Sequence, residues 1–236
     1  MILRKLGLAL CLLLLPAFPA RAQSPQLTSV LSQLDAASQR FRNARADFRW
    51  EFFEKIVHDT TVQTGSIYFN RAGANMEMGS VVFDLGPDGK PAKAPSKVLE
   101  YKGAQLQIFT PGVDQIDVFK AGANQAKYES FLTLGFGGSG KDLARAWDVT
   151  DNGPETINGT RTEKLDLVSK DPNVKNMFTH VTVWVDPTRG VSLQQKFFTP
   201  QGDVRTAIYS NIQVNTSLDS KTFAIRKDSH TTVIPH

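Results

Sequence analysis

The sequence predicts a mainly β protein (α+β class): an incomplete antiparallel β-barrel, a curled meander of around ten strands, with an N-terminal helix and a short helical lid over the open face. Three observations predict it. From Asn43 onward, apolar residues recur with period two in short runs separated by turn signals. Helical spacing occurs only ahead of the strands and near the middle of the chain. No long crossover helices separate the strands, which argues against a parallel α/β sheet. A long meander curls, and a half-closed barrel with helices over its open face buries both kinds of apolar stripe.

Ser24-Pro25 can cap and open a helix. Leu27, Val30, Leu31, Leu34, Ala37 and Phe41 follow at helical spacing, so an amphipathic helix is expected from Pro25 to about Arg42. Phe48, Trp50 and Phe52 then alternate with Arg49, Glu51 and Phe53. After a polar turn at His58 to Thr61, the partner strand runs from Val62 to Arg71, with Ile67 and Phe69 on the face opposite Tyr68 and Asn70. Met76 to Leu85 is a third strand, and Gly86-Pro87-Asp88-Gly89 opens a loop through Pro91 and Pro95.

Val98 to Tyr101 and Gln105 to Thr110 flank Lys102-Gly103, with Leu106 and Ile108 sharing a face. Gln115 to Phe119 puts Ile116 and Val118 on one face. Asn124 to Leu134 and Lys141 to Trp147 read as two short helices about a flexible glycine-rich hinge. The remaining strands are Glu155 to Ile157, Arg161 to Val168, Thr179 to Asp186, Val191 to Thr199, Val204 to Gln213 and Thr222 to Ile225. Turns fall at Asn158-Gly159, Asp171-Pro172-Asn173, Pro187 to Gly190 and Pro200 to Asp203, and a polar tail follows the last strand.

The first 22 residues read as an address. Arg4 and Lys5 precede the unbroken apolar run Leu6 to Leu15, and Ala20-Arg21-Ala22 supplies small residues at −3 and −1. This predicts a secretory signal peptide over 1–22, cleaved before Gln23, and a single domain over 23–236. The run is half of what a membrane-spanning helix needs, about 20 residues. Cys11 lies inside the apolar run, where lipoprotein cleavage would leave too short a core. Of 236 residues, 41% are hydrophobic and 21% charged, which excludes a polytopic membrane protein and a fully disordered chain. The formal charge of +4 falls to +1 once Arg4, Lys5 and Arg21 are removed, leaving no electrostatic case for nucleic acid. Cys11 is the one cysteine, so the processed chain has no disulfide and must rest on a large hydrophobic core. That combination suits a bacterial periplasm.

No catalytic or cofactor-binding constellation emerges. Gly135-Phe136-Gly137-Gly138-Ser139-Gly140-Lys141 has phosphate-loop spacing, but Asp142 stands where Mg²⁺ needs Ser or Thr. His58, His180, His230 and His236 show no metal-ligand spacing. No Gly-x-Ser-x-Gly elbow occurs, and the processed chain has no thiol. Neither an enzyme nor a cofactor or metal is expected.

The apolar side chains remain. Phe48, Trp50, Phe52, Ile67, Phe69, Leu106, Ile108, Ile116 and Val118 are expected to line the concave face of the curled sheet. Taken singly, each fits a plain core. As a set in a wide half-barrel, they suggest a ligand space. Arg71 follows Ile67 and Phe69 at alternate positions, so it either shares their face or lies just beyond the strand end, reaching solvent.

The order of these segments resembles the LolA-type outer-membrane lipoprotein carriers. A helix ending in Phe41 leads to Ala46-Asp47-Phe48. Gly65-Ser66-Ile67-Tyr68-Phe69-Asn70-Arg71 resembles the family's Gly-x-Leu-aromatic-x-x-Arg strand. Gly103 to Pro111 resembles its Gly-x-x-Leu-x-x-aromatic-x-Pro segment, and Gln115, Leu165-Asp166-Leu167, Gly202, Asn215 and Phe223 fit the later strands. Ala72 stands where the family has Pro, and residues 86–97 look inserted.

The resemblance implies an apolar cavity for acyl chains under a lid that includes Phe131, Leu132, Leu134 and Phe136. It also implies that Arg71 latches carbonyls of that lid near Phe131 to Gly138. Expected partners are an acylated lipoprotein or lipid cargo, an inner-membrane releasing transporter and an outer-membrane acceptor, with the carrier a monomer. A lipid- or lipoprotein-sensing module of the same fold is the alternative. A lipid hydrolase would need an activated nucleophile that the sequence does not offer.

Overall fold

The structure is a computed structural model that describes residues 25–73, 75–122, 134–217 and 223–236. The predicted signal peptide and most of the first lid helix, Phe131 and Leu132 included, lie outside the described residues.

The helix α1 (Pro25–Arg40) leads into β1 (Asn43–Glu54), β2 (Asp59–Ala72), β3 (Asn75–Asp84), β4 (Lys97–Lys102), β5 (Gln105–Thr110) and β6 (Gln115–Lys120). A seven-residue helix α2 (Gly140–Ala146) precedes β7 (Trp147–Ile157) and β8 (Thr160–Ser169). A short α3 (Pro172–Met177) precedes β9 (His180–Asp186), β10 (Val191–Phe198) and β11 (Val204–Val214), and β12 (Thr232–Pro235) ends the chain. Among the described residues, twelve strands form one sheet, in the order β12-β6-β5-β4-β3-β2-β1-β11-β10-β9-β8-β7. The sheet is an incomplete barrel: β12 and β7 are its two edges.

The path is two meanders rather than one. The chain walks outward from β1 to β6, restarts at the far edge with β7, and walks back until β11 pairs with β1. Every pairing is antiparallel except β12 with β6. The early part of β7 is invisible to a hydrophobicity pattern because it alternates mostly half-buried and exposed polar residues. At Asp171, the expected turn becomes the N-cap of α3, its carboxylate accepting from the Asn173 amide at 2.9 Å. The closing strand forms at Thr232–Pro235; Phe223 to Ile225, the described part of the expected segment, is not a strand, and Thr222 lies outside the described residues.

Opposed residues of a ladder point to the same side, so the register assigns the faces. Phe48, Trp50 and Phe52 share the concave side with Ile67 and Phe69, through the pairs Ala44↔Phe69, Ala46↔Ile67, Phe48↔Gly65 and Trp50↔Gln63. On β3 and β4 the same side carries Met76, Met78, Val82, Leu99 and Tyr101. The sides buried against α1 on the other meander carry Leu165, Leu167, Val181, Val183 and Val185.

The helix stripe of Leu27, Val30, Leu31 and Leu34 packs on that second set, and all four are buried. Each contributes roughly 1.5–3 kcal/mol of apolar burial. The α1–α2 contact is tight because Gly140 has no side chain: a Cβ there would sit 2.1 Å from the Leu31 carbonyl oxygen. Gly140→Ala is therefore expected to cost about 1–2 kcal/mol, read as a lowered urea midpoint at unchanged slope. An unchanged midpoint would show that the two helices separate freely.

On the outer face, Phe223 packs on Tyr68 with ring centroids 4.6 Å apart, over Gly79. From there the chain crosses β4 to β6 and adds β12 in parallel beyond β6. His236 stacks on Phe119 and hydrogen-bonds Asp117 at 2.9 Å, holding that carboxyl below its usual range. A hydrogen bond from Gln115 acts in the same direction.

Candidate functional site

The concave side of β1 to β5 is a graded apolar surface. Phe48, Ile67, Phe69, Met76, Met78 and Tyr101 are buried, whereas Trp50, Phe52, Leu106 and Ile108 are half-buried. Phe48 and Trp50 stack at 4.1 Å. The surface thus opens toward the end of the half-barrel where β1 turns into β2.

Ile116 and Val118 do not belong to it. They oppose Phe109 and Gln107 on β5, which places them on the outer face. The concave positions of β6 are Gln115, Asp117 and Phe119. Period two fixes which residues of a strand share a face, but not how neighbouring strands are phased. The intervening turn does that: the 3-10 turn Pro111–Val113 with left-handed Asp114 (φ 47°) sets the pair Thr110↔Gln115. Both side chains are buried all the same, on the side where residues 223–236 return across the sheet.

Residues 134–138 cross the concave side as a strap. Phe136 is 1% exposed, stacked on Phe69 at 4.4 Å and edge-on to Tyr209 at 4.9 Å. Its backbone bridges Val191. The Gly137 amide donates to the Gly190 carbonyl at 3.0 Å, and the Gln195 side chain donates to the Leu134 carbonyl. The Gly137 carbonyl accepts from the Ser38 hydroxyl at 2.9 Å and from the Arg71 guanidinium at 2.7 Å. Arg71 itself is exposed beyond its apolar neighbours and lies over the Phe41 ring at 5.9 Å.

The strap corrects the reading of a flexible hinge. Gly135 and Gly137 have φ of 84° and 72°, and a Cβ at either would lie within 2.4 Å of Ser192 or Phe41. These glycines allow close packing and a left-handed backbone; they are pinned at both ends. Leu134 is buried toward α1 and Trp147, on the other side of the strap from the open part of the concave surface. Burial raises the Tyr209 phenol above its ordinary value, with a hydrogen bond to Trp50 pulling the other way. Tyr209, Met76, Met78, Leu99 and Tyr101 are concave residues that sequence reasoning missed; the alternation Met76-x-Met78-x-Ser80-x-Val82 was a usable signal.

A cavity of about 60 Å³ lies between α1, the strap and β8–β9, lined by Leu34, Leu134, Trp147, Leu165, Val183 and Val185. Small-molecule sites run to roughly 300–1,000 Å³, so an acyl chain cannot fit here without moving the strap. A shallower groove of about 590 Å³ lies on the outer face, between Asp47, Arg49, Ser66 and Phe83 and the loop at Pro91-Ala92. Among the described residues, no helix is long and apolar enough to cross a membrane, and no group of three or more His, Cys, Asp or Glu is placed to hold a metal.

No known family profile and no curated protein matches the sequence. Solved structures do match. An uncharacterized conserved protein from Thermus thermophilus shares 10% identity at a TM-score of 0.54, over 89% of this chain and 99% of that one. MucB, known also in a Pseudomonas aeruginosa MucA/MucB complex, shares 12% at 0.50, over 89% of this chain and 66% of MucB. LolA superfamily protein NE2245 from Nitrosomonas europaea is matched over 84% of this chain and 97% of that one, at 13% identity and a TM-score of 0.39. The chain shares its fold with the Thermus thermophilus protein and with MucB. The likeness is one of architecture, an open antiparallel half-barrel with a helix against its concave side.

Proposed function

We propose that this protein is a periplasmic carrier, without enzymatic activity, that shields the acyl chains of lipoproteins or related lipids on the concave face of its half-barrel. Cargo would pass from an inner-membrane releasing transporter to an outer-membrane acceptor. The observation that carries the reading is the strap. An aromatic plug, Phe136, fills the deep end of an apolar surface, and Arg71 ties the strap backbone across it. Apolar burial of about 0.8 kcal/mol per methylene supplies the affinity. The tied strap opposes it, because a ligand shifts a two-state element only by its differential affinity for the two states.

The test is the release rate of a fluorescent acyl probe. Saturable binding to the wild type is expected, and Arg71→Leu should release the probe roughly fivefold more slowly, since one charge-assisted but exposed hydrogen bond is removed from the closed state. Arg71→Lys, which keeps a donor, should lie between the two. An equal or faster release from Arg71→Leu would sink the latch, and absence of saturable binding would sink the carrier. A sensing role on the same site is the second reading, prompted by MucB, which is described in complex with MucA. A carrier hands the probe on to acceptor vesicles, whereas a sensor retains it.

A further inference from the structure

At one end of the half-barrel, three connections each expose large apolar side chains. The β1–β2 turn presents Ile56 at 85% and Val57 at 64% exposure, the β5–β6 turn presents Val113 at 68%, and the β8–β9 connection presents Met177 at 53%. The register places all three connections at the same end, where Glu54↔Asp59, Thr110↔Gln115 and Phe198↔His180 are the last pairs of their ladders. The β1–β2 hairpin runs on past Gln63↔Asp84, the last β2–β3 pair.

Just behind the tips lies a belt of half-buried aromatics. Phe53, Val204, Phe198 and His180 form one row across β1, β11, β10 and β9, and Phe52 and Phe197 flank Arg205 in the next. The Arg205 guanidinium lies over the rings of both Phe52 and Phe178, at 5.7 and 5.8 Å. Phe52 also belongs to the concave face, so the belt is continuous with the open part of the apolar surface.

We propose that this end docks on a lipid bilayer, with Ile56 and Val57 inserted and the aromatic belt with Arg205 at headgroup level. The spacing favours a bilayer over a folded partner. In the sheet order, the β5–β6 and β8–β9 connections each lie four strand spacings from the β1–β2 tip, on either side of it, about 19 Å along the sheet. Separate apolar points at that spread fit a continuous fluid surface and do not make one contiguous patch. Charge does not drive the contact: on the three connections Lys55, Lys170 and Lys175 stand against Glu54, Asp59, Asp114 and Asp171. Binding is therefore apolar in origin and should survive on uncharged lipid and at raised salt.

The proposal deepens the carrier reading by stating which end of the site meets the membrane, and its test is separable from that reading. The secreted chain is floated with phosphatidylcholine vesicles, with and without a quarter phosphatidylglycerol. Co-flotation of the wild type is expected on both, and the double change Ile56→Asp with Val57→Asp should reduce it about tenfold. Acyl-probe binding should stay unchanged, because the tip lies outside the concave face. Val113→Asp, on a separate turn, should reduce flotation less. Equal flotation of wild type and double variant, or none by either, would overturn the proposal, whatever the probe result. A wild type that dimerises through these tips without floating would overturn it too.

Discussion

Phe136→Ala should lower the unfolding free energy by about 3–5 kcal/mol, the usual cost of deleting a fully buried ring that its surroundings cannot collapse onto. Collapse is unavailable here because the strap is held on both sides, by Gln195 and the Val191 bridge on one and by Ser38 and Arg71 on the other. The faces of Phe69 and Tyr209 would be left lining an apolar void. An apolar void of this kind stays dry and accepts hydrocarbon. The variant should therefore regain part of the lost stability when an acyl probe is added, and bind that probe more tightly than the wild type. Urea titrations with and without probe measure both quantities. A loss below about 1 kcal/mol would mean that the ring is not a packed plug. A loss with no recovery would mean that the space it leaves does not join the binding surface.

Trp50→Ala is the second large effect, and it is read on binding. Trp50 is half-buried, stacked on Phe48 and next to the open part of the concave face, so its ring is available to a chain lying there. Removing it should weaken acyl-probe affinity by about 1–3 kcal/mol, while Trp184 on β9 serves as a distant control. Titration by fluorescence polarisation checks this. Unchanged affinity in a folded Trp50→Ala protein would move the chain path away from β1.

The parts of this molecule legible in the sequence are those where one local period decides. The helix stripe from Leu27 to Phe41 and the alternation of Phe48, Trp50 and Phe52 against Ile67 and Phe69 are local patterns, and the structure keeps each set on one side. Relations between elements were less legible. Ile116 and Val118 alternate as expected, yet the turn before them phases β6 so that they face outward. The glycines at 135 and 137 are equally compatible with a hinge and with close packing; only the positions of Ser192 and Phe41, remote in sequence, decide between the two. Arg71 was open between solvent and lid because its partner is the Gly137 carbonyl, a backbone atom that no residue pattern marks.

The seam between the two meanders has a consequence for how the protein is made. Ala44 pairs with Val214, some 170 residues later, and β1 meets no other partner on that flank. As the chain emerges N-terminus first, β1 to β6 can zip by short hairpins, but β1 keeps a bare edge until β11 arrives. Such an edge is a template for pairing with another chain, and contacts of this sequence separation form late. The vulnerable species is thus a half-sheet that is already ordered. Its exposure lasts until residues 121–214 have been made and β11 has paired with β1.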